Sequence, residues 1–69
     1  MAMSITKRFG ANVARLRKER GMTQEAFADV AGIARSYMSD IERGARNPTI
    51  VMVERIANAL DVRAGDLLD

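Results

Sequence analysis

The chain has 69 residues and a net charge of +2, and it contains neither Cys nor His. Disulfide bonds and the usual zinc-ligand sets are therefore excluded, and most nucleophile and general-base combinations are missing, so we expect no enzyme, no metal and no cofactor. A chain this short buries only about 60% of its unfolded surface, so we expect a single domain over residues 1–69 that depends on helix packing and on dimerisation.

The first predicted helix runs from about residue 4 to residue 20. Ser4 can cap its N-terminus, and Gly21 is the expected left-handed residue after its last turn. Its apolar side chains recur at the spacing of one helix face, and they are Ile5, Phe9, Val13 and Leu16. This face is predicted to pack on the core.

The positive charge is concentrated in this first helix. Residues 1–20 contain six basic side chains and one acidic side chain, a sum of +5, whereas residues 21–46 and 47–69 sum to −1 and −2. Such asymmetry is expected if one face of the protein meets a polyanion. An ordinary solvated helix face produces the same pattern, and charge alone favours this plainer interpretation.

Two short helices follow, separated by a glycine turn. Thr23 is predicted to cap the second helix, and Gly32 ends it with the positive φ that a tight turn needs. In the third helix, over about 34–43, Met38 and Ile41 lie three residues apart and can share a buried face. Cap, short helix, glycine turn and second helix together form the sequence plan of a helix-turn-helix.

A loop with the chain's only Pro, at residues 44–48, precedes two more predicted helices. Thr49 can cap the fourth helix, which runs to about Leu60, and a short fifth turn or helix covers about 63–68. The apolar set of the fourth helix is Ile50, Val53, Ile56, Ala57 and Leu60. No strand-length alternation of apolar and polar residues occurs. The chain is therefore predicted to be all-α, a compact bundle of five short helices.

The helix-turn-helix, placed at about 23–43, belongs to a longer pattern that covers most of the chain. Its segments are LRKERGMTQEAFA at 16–28, Gly32-Ile33, SYMS at 36–39, IERG at 41–44, Asn47-Pro48 and IANALDV at 56–62. In these segments the chain resembles the XRE family, the lambda-repressor-like helix-turn-helix proteins related to phage Cro and repressor. The resemblance implies a five-helix DNA-binding domain, commonly a homodimer.

The resemblance further implies that three side chains of the third helix reach base edges, namely Arg35, Ser36 and Asp40. Arg35 can donate two hydrogen bonds to guanine, and Asp40 can accept one from cytosine. Asp40 also repels phosphate, so it can act by excluding bases instead. A pairing of Asp40 with a neighbouring arginine is an equally good interpretation.

Sugar–phosphate contacts are implied for the start of the second helix, the third helix and the loop after it. The residues are Thr23, Gln24, Tyr37, Ser39, Arg43, Arg46 and Asn47. Gln24 has the alternative of lying in solvent in the first turn of its helix. The ring of Tyr37 has the alternative of packing, half-buried, on the second helix.

Two more predictions concern assembly. Arg17 and Glu42 match positions that in the family often form a partly buried ion pair, which would fix the third helix on the core; two independent surface charges are the alternative. The C-terminal half has more apolar residues than so short a segment can hide. We therefore expect a homodimer patch that includes Val51, Met52 and Leu67.

No apolar run approaches the roughly 20 residues needed to span a membrane, and the start of the chain, from Met1 to Ser4, lacks the apolar core of a signal peptide. We expect a cytoplasmic protein with no membrane partner and no small-molecule ligand. The favoured function is a sequence-specific transcriptional regulator of the phage-repressor or restriction–modification controller type. It would bind an inverted-repeat operator in double-stranded DNA as a homodimer. The alternative is an antitoxin or other protein-interaction module built on the same fold.

Overall fold

The computed structural model describes residues 3–69; Met1 and Ala2, part of the stretch considered above for a signal peptide, lie outside the described residues. Within this range the chain folds into five helices and no strand. The helices are α1 (Ile5–Glu19), α2 (Gln24–Ala31), α3 (Arg35–Glu42), α4 (Ile50–Leu60) and α5 (Ala64–Leu68). The predicted all-α architecture is confirmed, and each predicted boundary lies within a residue or two of the observed one.

Hydroxyl side chains cap three of the helices, as the sequence predicts. Ser4, Thr23 and Thr49 each accept a hydrogen bond from a backbone N–H in the first turn of α1, α2 and α4, respectively. Gly32 ends α2 with a φ of 73°, in the left-handed region that glycine enters without strain. These local signals separate α2 from α3 by a turn of only three residues.

One apolar core lies among all five helices. Its buried residues are Phe9, Val13, Phe27, Ala28, Met38, Ile41, Val53, Ile56, Ala57, Leu60 and Leu67. Two residues of the predicted apolar stripes do not belong to it, because Ile5 is 53% exposed and Ile50 is 86% exposed. Both lie in the first turn of their helices, so the prediction that Ile5 packs on the core is wrong, and Ile50 is an apolar residue of the fourth helix that the core does not cover.

Helices α1 and α3 cross closely at Gly10. A Cβ built on Gly10 would overlap the carbonyl oxygen of Ile41 and lie 2.9 Å from that of Glu42, so only glycine fits there without a shift of backbone. The absence of a side chain on α1 therefore sets how near α3 can approach.

Two side chains of α1 reach the other end of the chain. The amide of Asn12 donates a hydrogen bond to the carbonyl oxygen of Leu67 at 2.9 Å, and Nε of Arg8 donates to that of Leu68 at 3.4 Å. These carbonyls are in the last turn of α5, where a helix has no partners of its own to satisfy them. The first helix thus holds the last one.

None of the five described helices combines the length and the apolar character that crossing a membrane would require.

Candidate nucleic-acid interface

Helix α3 turns one side to the core and another to solvent. Met38 and Ile41 are 0% and 1% exposed and anchor the helix. Arg35 and Ser36 occupy its first turn and are exposed. Since Ala34 provides no side-chain cap, the backbone N–H groups of that turn are not covered by a capping side chain. A ligand approaching the start of α3 therefore meets a guanidinium, a hydroxyl and the positive end of the helix dipole.

Asp40, one turn further along α3, binds two arginines. Nη2 of Arg43 donates a hydrogen bond to Oδ1 of Asp40, and Nε of Arg46 lies 3.3 Å from Oδ2. The arginine side chains are 66% and 55% exposed, and that of Asp40 is 26% exposed. The hydrogen bond from Arg43, followed by that from Arg46, lowers the pKa of Asp40 below its usual value. We call Asp40, Arg43 and Arg46 the arginine clamp; the pairing interpretation of Asp40 is confirmed.

Tyr37 adds an aromatic face to the arginine clamp. The guanidinium carbon of Arg46 lies 5.4 Å from the centroid of the Tyr37 ring, within the range of a cation–π contact. The ring itself is half-buried and packs against the core cluster. Arg46 is therefore held from two sides, by a carboxylate and by a ring.

The predicted ion pair between α1 and α3 is present and buried. Arg17 donates from Nε to Oε2 of Glu42 at 2.6 Å and from Nη2 to Oε1 at 3.0 Å, a two-pronged contact. The side chains are 9% and 7% exposed. A third donor of Arg17, Nη1, reaches the carbonyl oxygen of Met22 at 2.7 Å, so the guanidinium also fixes the turn before α2.

The charges of this pair stabilise each other. Burial alone would raise the pKa of Glu42, but hydrogen bonds from Arg17 and Gln24 outweigh it and hold that pKa below its usual value. The hydrogen bond to Glu42 likewise raises the pKa of Arg17 against the opposing effect of burial. Both groups are therefore charged over the whole physiological pH range.

Gln24 is the member of this cluster that the sequence did not reveal. Its Nε2 donates to Oε1 of Glu42 at 2.9 Å, so its side chain is half-buried between α2 and α3. The alternative of a solvent-exposed Gln24 is therefore wrong. Thr23 beside it is exposed, with its hydroxyl accepting the capping hydrogen bond from the N–H of Ala26 at 3.1 Å. No periodicity links two residues 18 positions apart, so only the folded chain could show the contact.

An open apolar groove of about 340 Å³ lies between α1, α4 and α5. The buried Phe9 and Val53 line it together with the exposed Ile5 and Ile50. Asn47 also lines it, so this predicted backbone contact belongs to the groove, although it follows Arg46 directly in the sequence.

The predicted dimer residues fall into different environments. Val51 is 71% exposed, and Met52 is half-buried. Leu67 is 0% exposed and belongs to the core, so the prediction that it lies in a dimer patch is wrong. A five-residue helix can hold its place on α1 and α4 only by burying such a side chain, which leaves nothing of Leu67 for a partner.

Comparison with known proteins identifies the fold. The sequence profile of the helix-turn-helix family HTH_3 matches residues 13–67, most of the chain. The chain belongs to this helix-turn-helix family. Control protein C.BamHI from Bacillus amyloliquefaciens is 41% identical to the chain over 70 residues, covering 100% of this chain and 86% of that protein.

Two solved structures superpose closely on this helix-turn-helix domain. The restriction–modification controller protein C.AhdI from Aeromonas hydrophila matches with a TM-score of 0.86 and 37% identity, over 90% of this chain and 94% of that one. SinR, described as the master regulator for biofilm formation and solved in complex with DNA, matches with a TM-score of 0.83 and 40% identity, over 88% and 98%. The XRE resemblance and the lambda-repressor-like fold are thereby confirmed.

The helix-turn-helix domain brings most of the predicted contact residues onto α3 and its two ends. Arg35 and Ser36 share the first turn, and Arg43 and Arg46 share one carboxylate at the other end. Ser39 is half-buried between them. The high charge of residues 1–20 does not form one free basic face, because Arg17 is buried with Glu42 and Arg15 pairs with Glu19.

Proposed function

We propose that this chain is a sequence-specific transcriptional regulator that places α3 in the major groove of double-stranded DNA. The observation that carries the proposal is the division of α3 into a buried side, anchored by Met38 and Ile41, and an exposed first turn with Arg35 and Ser36. In a helix-turn-helix, the residues at the start of the second helix contact base edges. The likeness to SinR, whose structure contains DNA, supports the same use of the fold. No catalytic step is part of the proposal.

Backbone contacts are proposed on both sides of α3. Thr23 caps α2 and Gln24 is its first residue, and the N-terminus of a helix favours a phosphate. Arg43 and Arg46 at the far end supply guanidinium groups, with Tyr37, Ser39 and Asn47 nearby as polar contacts. These contacts would fix orientation on the duplex, and Arg35 and Ser36 would read the sequence.

Binding is tested by selecting duplexes from random DNA and measuring affinity for the recovered sequence and its single-base variants. Arg35→Ala should lose about 1–3 kcal/mol of discrimination at one base pair, because it removes a bidentate donor to guanine. Arg46→Ala should weaken the recovered sequence and its single-base variants alike, because it removes a phosphate contact. Equal losses for both variants on every sequence would contradict this assignment of roles, and a protein that retains no duplex would contradict the proposed function.

We further propose that two copies act together through the apolar groove. Exposed Ile5 and Ile50 line it, and exposed Val51 follows Ile50 on α4; exposed apolar side chains grouped in this way are typical of interaction surfaces. A two-fold pair would place its α3 helices about 34 Å apart, one turn of B-DNA, on an inverted repeat. The controller-protein relatives make this form of regulator the favoured one.

Analytical ultracentrifugation at micromolar concentration tests the pairing. The wild-type protein should sediment as a dimer, and Ile50→Asp should sediment as a monomer because a buried unpaired carboxylate disfavours the contact. Val30→Asp is the matched control, since Val30 is a 62% exposed apolar residue on α2, away from the groove, and should remain dimeric. A wild-type monomer would contradict the pairing and leave the groove to a different protein, as in the antitoxin alternative.

A further inference from the structure

The arginine clamp joins two opposing charges at the end of the helix proposed to enter DNA. Arg43 and Arg46 are the cations best placed to meet phosphates beyond α3, yet both are bound to the single carboxylate of Asp40. Arg46 is also held against the ring of Tyr37. The carboxylate belongs to α3, whereas Arg46 belongs to the loop after it, so the contact crosses from the helix to the loop.

We infer that Asp40 is a specificity-determining positioning residue, which acts by restraining Arg43 and Arg46 rather than by reading a base. The inference rests on the proposed DNA-binding function. It assigns Asp40 the task of keeping the two guanidinium groups from binding phosphates indiscriminately, while it holds them where a fully seated operator complex needs them.

The physical argument starts from how proteins bind DNA of any sequence. Non-specific affinity comes almost entirely from cations that neutralise phosphates and release counterions. A carboxylate that partly neutralises two arginines reduces this contribution, and its own charge repels the backbone. In a non-specific complex, which lacks base contacts, no other interaction compensates for this loss of affinity.

A seated operator complex differs because its geometry is fixed by base contacts from the start of α3. Arginines already held in one arrangement lose less conformational freedom when they meet their phosphates, so the restraint costs little there. Exposed ion pairs contribute only about 0–1 kcal/mol to folding, so the clamp has little other value to the protein. Asp40 should therefore lower affinity for random DNA more than affinity for the operator.

The test compares Asp40→Asn with Asp29→Asn, which removes the same charge from an exposed position on α2. Affinities are measured for a duplex selected from random DNA and for a shuffled duplex of the same composition, between about 50 and 200 mM salt. D40N should bind the shuffled duplex about tenfold more tightly than wild type, and the slope of log affinity against log salt should steepen by about one to two, one for each arginine released. Operator affinity should change by less than about threefold, and D29N should change both duplexes alike.

A second measurement follows the clamp without DNA. Tyr37 is the chain's only tyrosine, and no tryptophan is present. The intrinsic fluorescence of the protein therefore reports on the Tyr37 ring, which contacts Arg46. D40N should change the emission of Tyr37, because Arg46 loses its ion pair with residue 40 and keeps only the contact with the ring. D29N should leave the emission unchanged. The melting temperature of D40N should stay near that of the wild type.

The outcomes separate this inference from the proposed function. If wild type binds DNA and D40N matches D29N on both duplexes, the inference is overturned and the proposed function stands. Loss of D40N affinity confined to one base pair of the operator would overturn it in favour of direct base reading. If wild type retains neither duplex at any salt, the proposed function fails and the inference fails with it.

Discussion

Asp40 and Glu42 lie two residues apart on α3, and each carboxylate accepts hydrogen bonds from two side chains. Those of Glu42 come from Arg17 and Gln24, on other helices, and the acid is 7% exposed. Those of Asp40 come from Arg43 and Arg46, on the end of α3 and its loop, and the acid is 26% exposed. Nearly the same chemistry therefore joins separate helices in one case and restrains two exposed arginines in the other. Burial decides between the two roles, because removing the partner of a buried charge costs more free energy than removing the partner of a hydrated charge.

The largest effect is expected at Glu42, the buried carboxylate of the two. Glu42→Gln leaves the Arg17 guanidinium buried without a counter-charge, which should cost about 3 kcal/mol of unfolding free energy. For a domain of this size the melting temperature should fall by about 15 °C. Thermal unfolding followed by circular dichroism measures the loss. Glu54→Gln, at an exposed position on α4, should change the free energy by less than about 0.5 kcal/mol.

The next largest effect comes from a substitution that displaces α3 and leaves both carboxylates in the sequence. Gly10→Ala should destabilise the fold by about 1–3 kcal/mol, because its methyl group meets the backbone of α3. Gly65→Ala is the control, since no atom lies within 4 Å of its added Cβ. Alanine in place of an exposed helical glycine should stabilise by up to about 1 kcal/mol. If urea unfolding gives both variants the same sign, the close crossing at Gly10 does not constrain α3.

A smaller effect separates the two acids by pH. The pKa of Glu42 is lowered in the folded protein, so its contribution to stability is present above the ordinary glutamate pKa of about 4.3 and is lost as the pH falls through the lower folded value. The pKa of Asp40 shifts in the same direction, but this acid is partly exposed and its contribution is screened by solvent. Urea unfolding between pH 6 and pH 2.5 should therefore show an acid-dependent loss that E42Q lacks and D40N retains. An unchanged pH profile in E42Q would assign the loss to other carboxylates.

The smallest expected effect is on the exposed side of the comparison. Arg46→Ala should change the free energy of unfolding by less than about 0.5 kcal/mol, because it removes a surface ion pair and one cation–π contact. Urea unfolding at neutral pH measures this. A loss above about 2 kcal/mol would mean that the arginine clamp stabilises the fold as the buried pair does, and the distinction between Asp40 and Glu42 would disappear.

The sequence predicts the elements of this fold well because their signals are local. Thr23, Gly32 and Thr49 act within one turn of the chain, and the structure places each where the pattern requires. The ion pair of Arg17 with Glu42 was available only through the family resemblance, since no local pattern connects α1 to α3.

Other features depend on three-dimensional packing and could not be read from spacing. Ile50 has the periodicity of a core residue but lies in a first turn beyond the edge of the core, and Leu67, predicted to lie in a dimer patch, is fully buried. Gln24 shows the same limit for polar groups, because its partner is on another helix. Periodicity identifies the apolar face of a helix, and packing determines how much of that face is covered.

The hydrogen bonds from Asn12 and Arg8 to the last carbonyls of α5 join segments that lie 55 and 60 residues apart in the sequence. Leu67 completes the same core that Phe9 and Val13 begin. During translation, α1 therefore cannot complete this packing until α5 has left the ribosome. The α3 surface rests on the same α1 through Gly10 and Arg17, so its support includes a helix that must still bind α5.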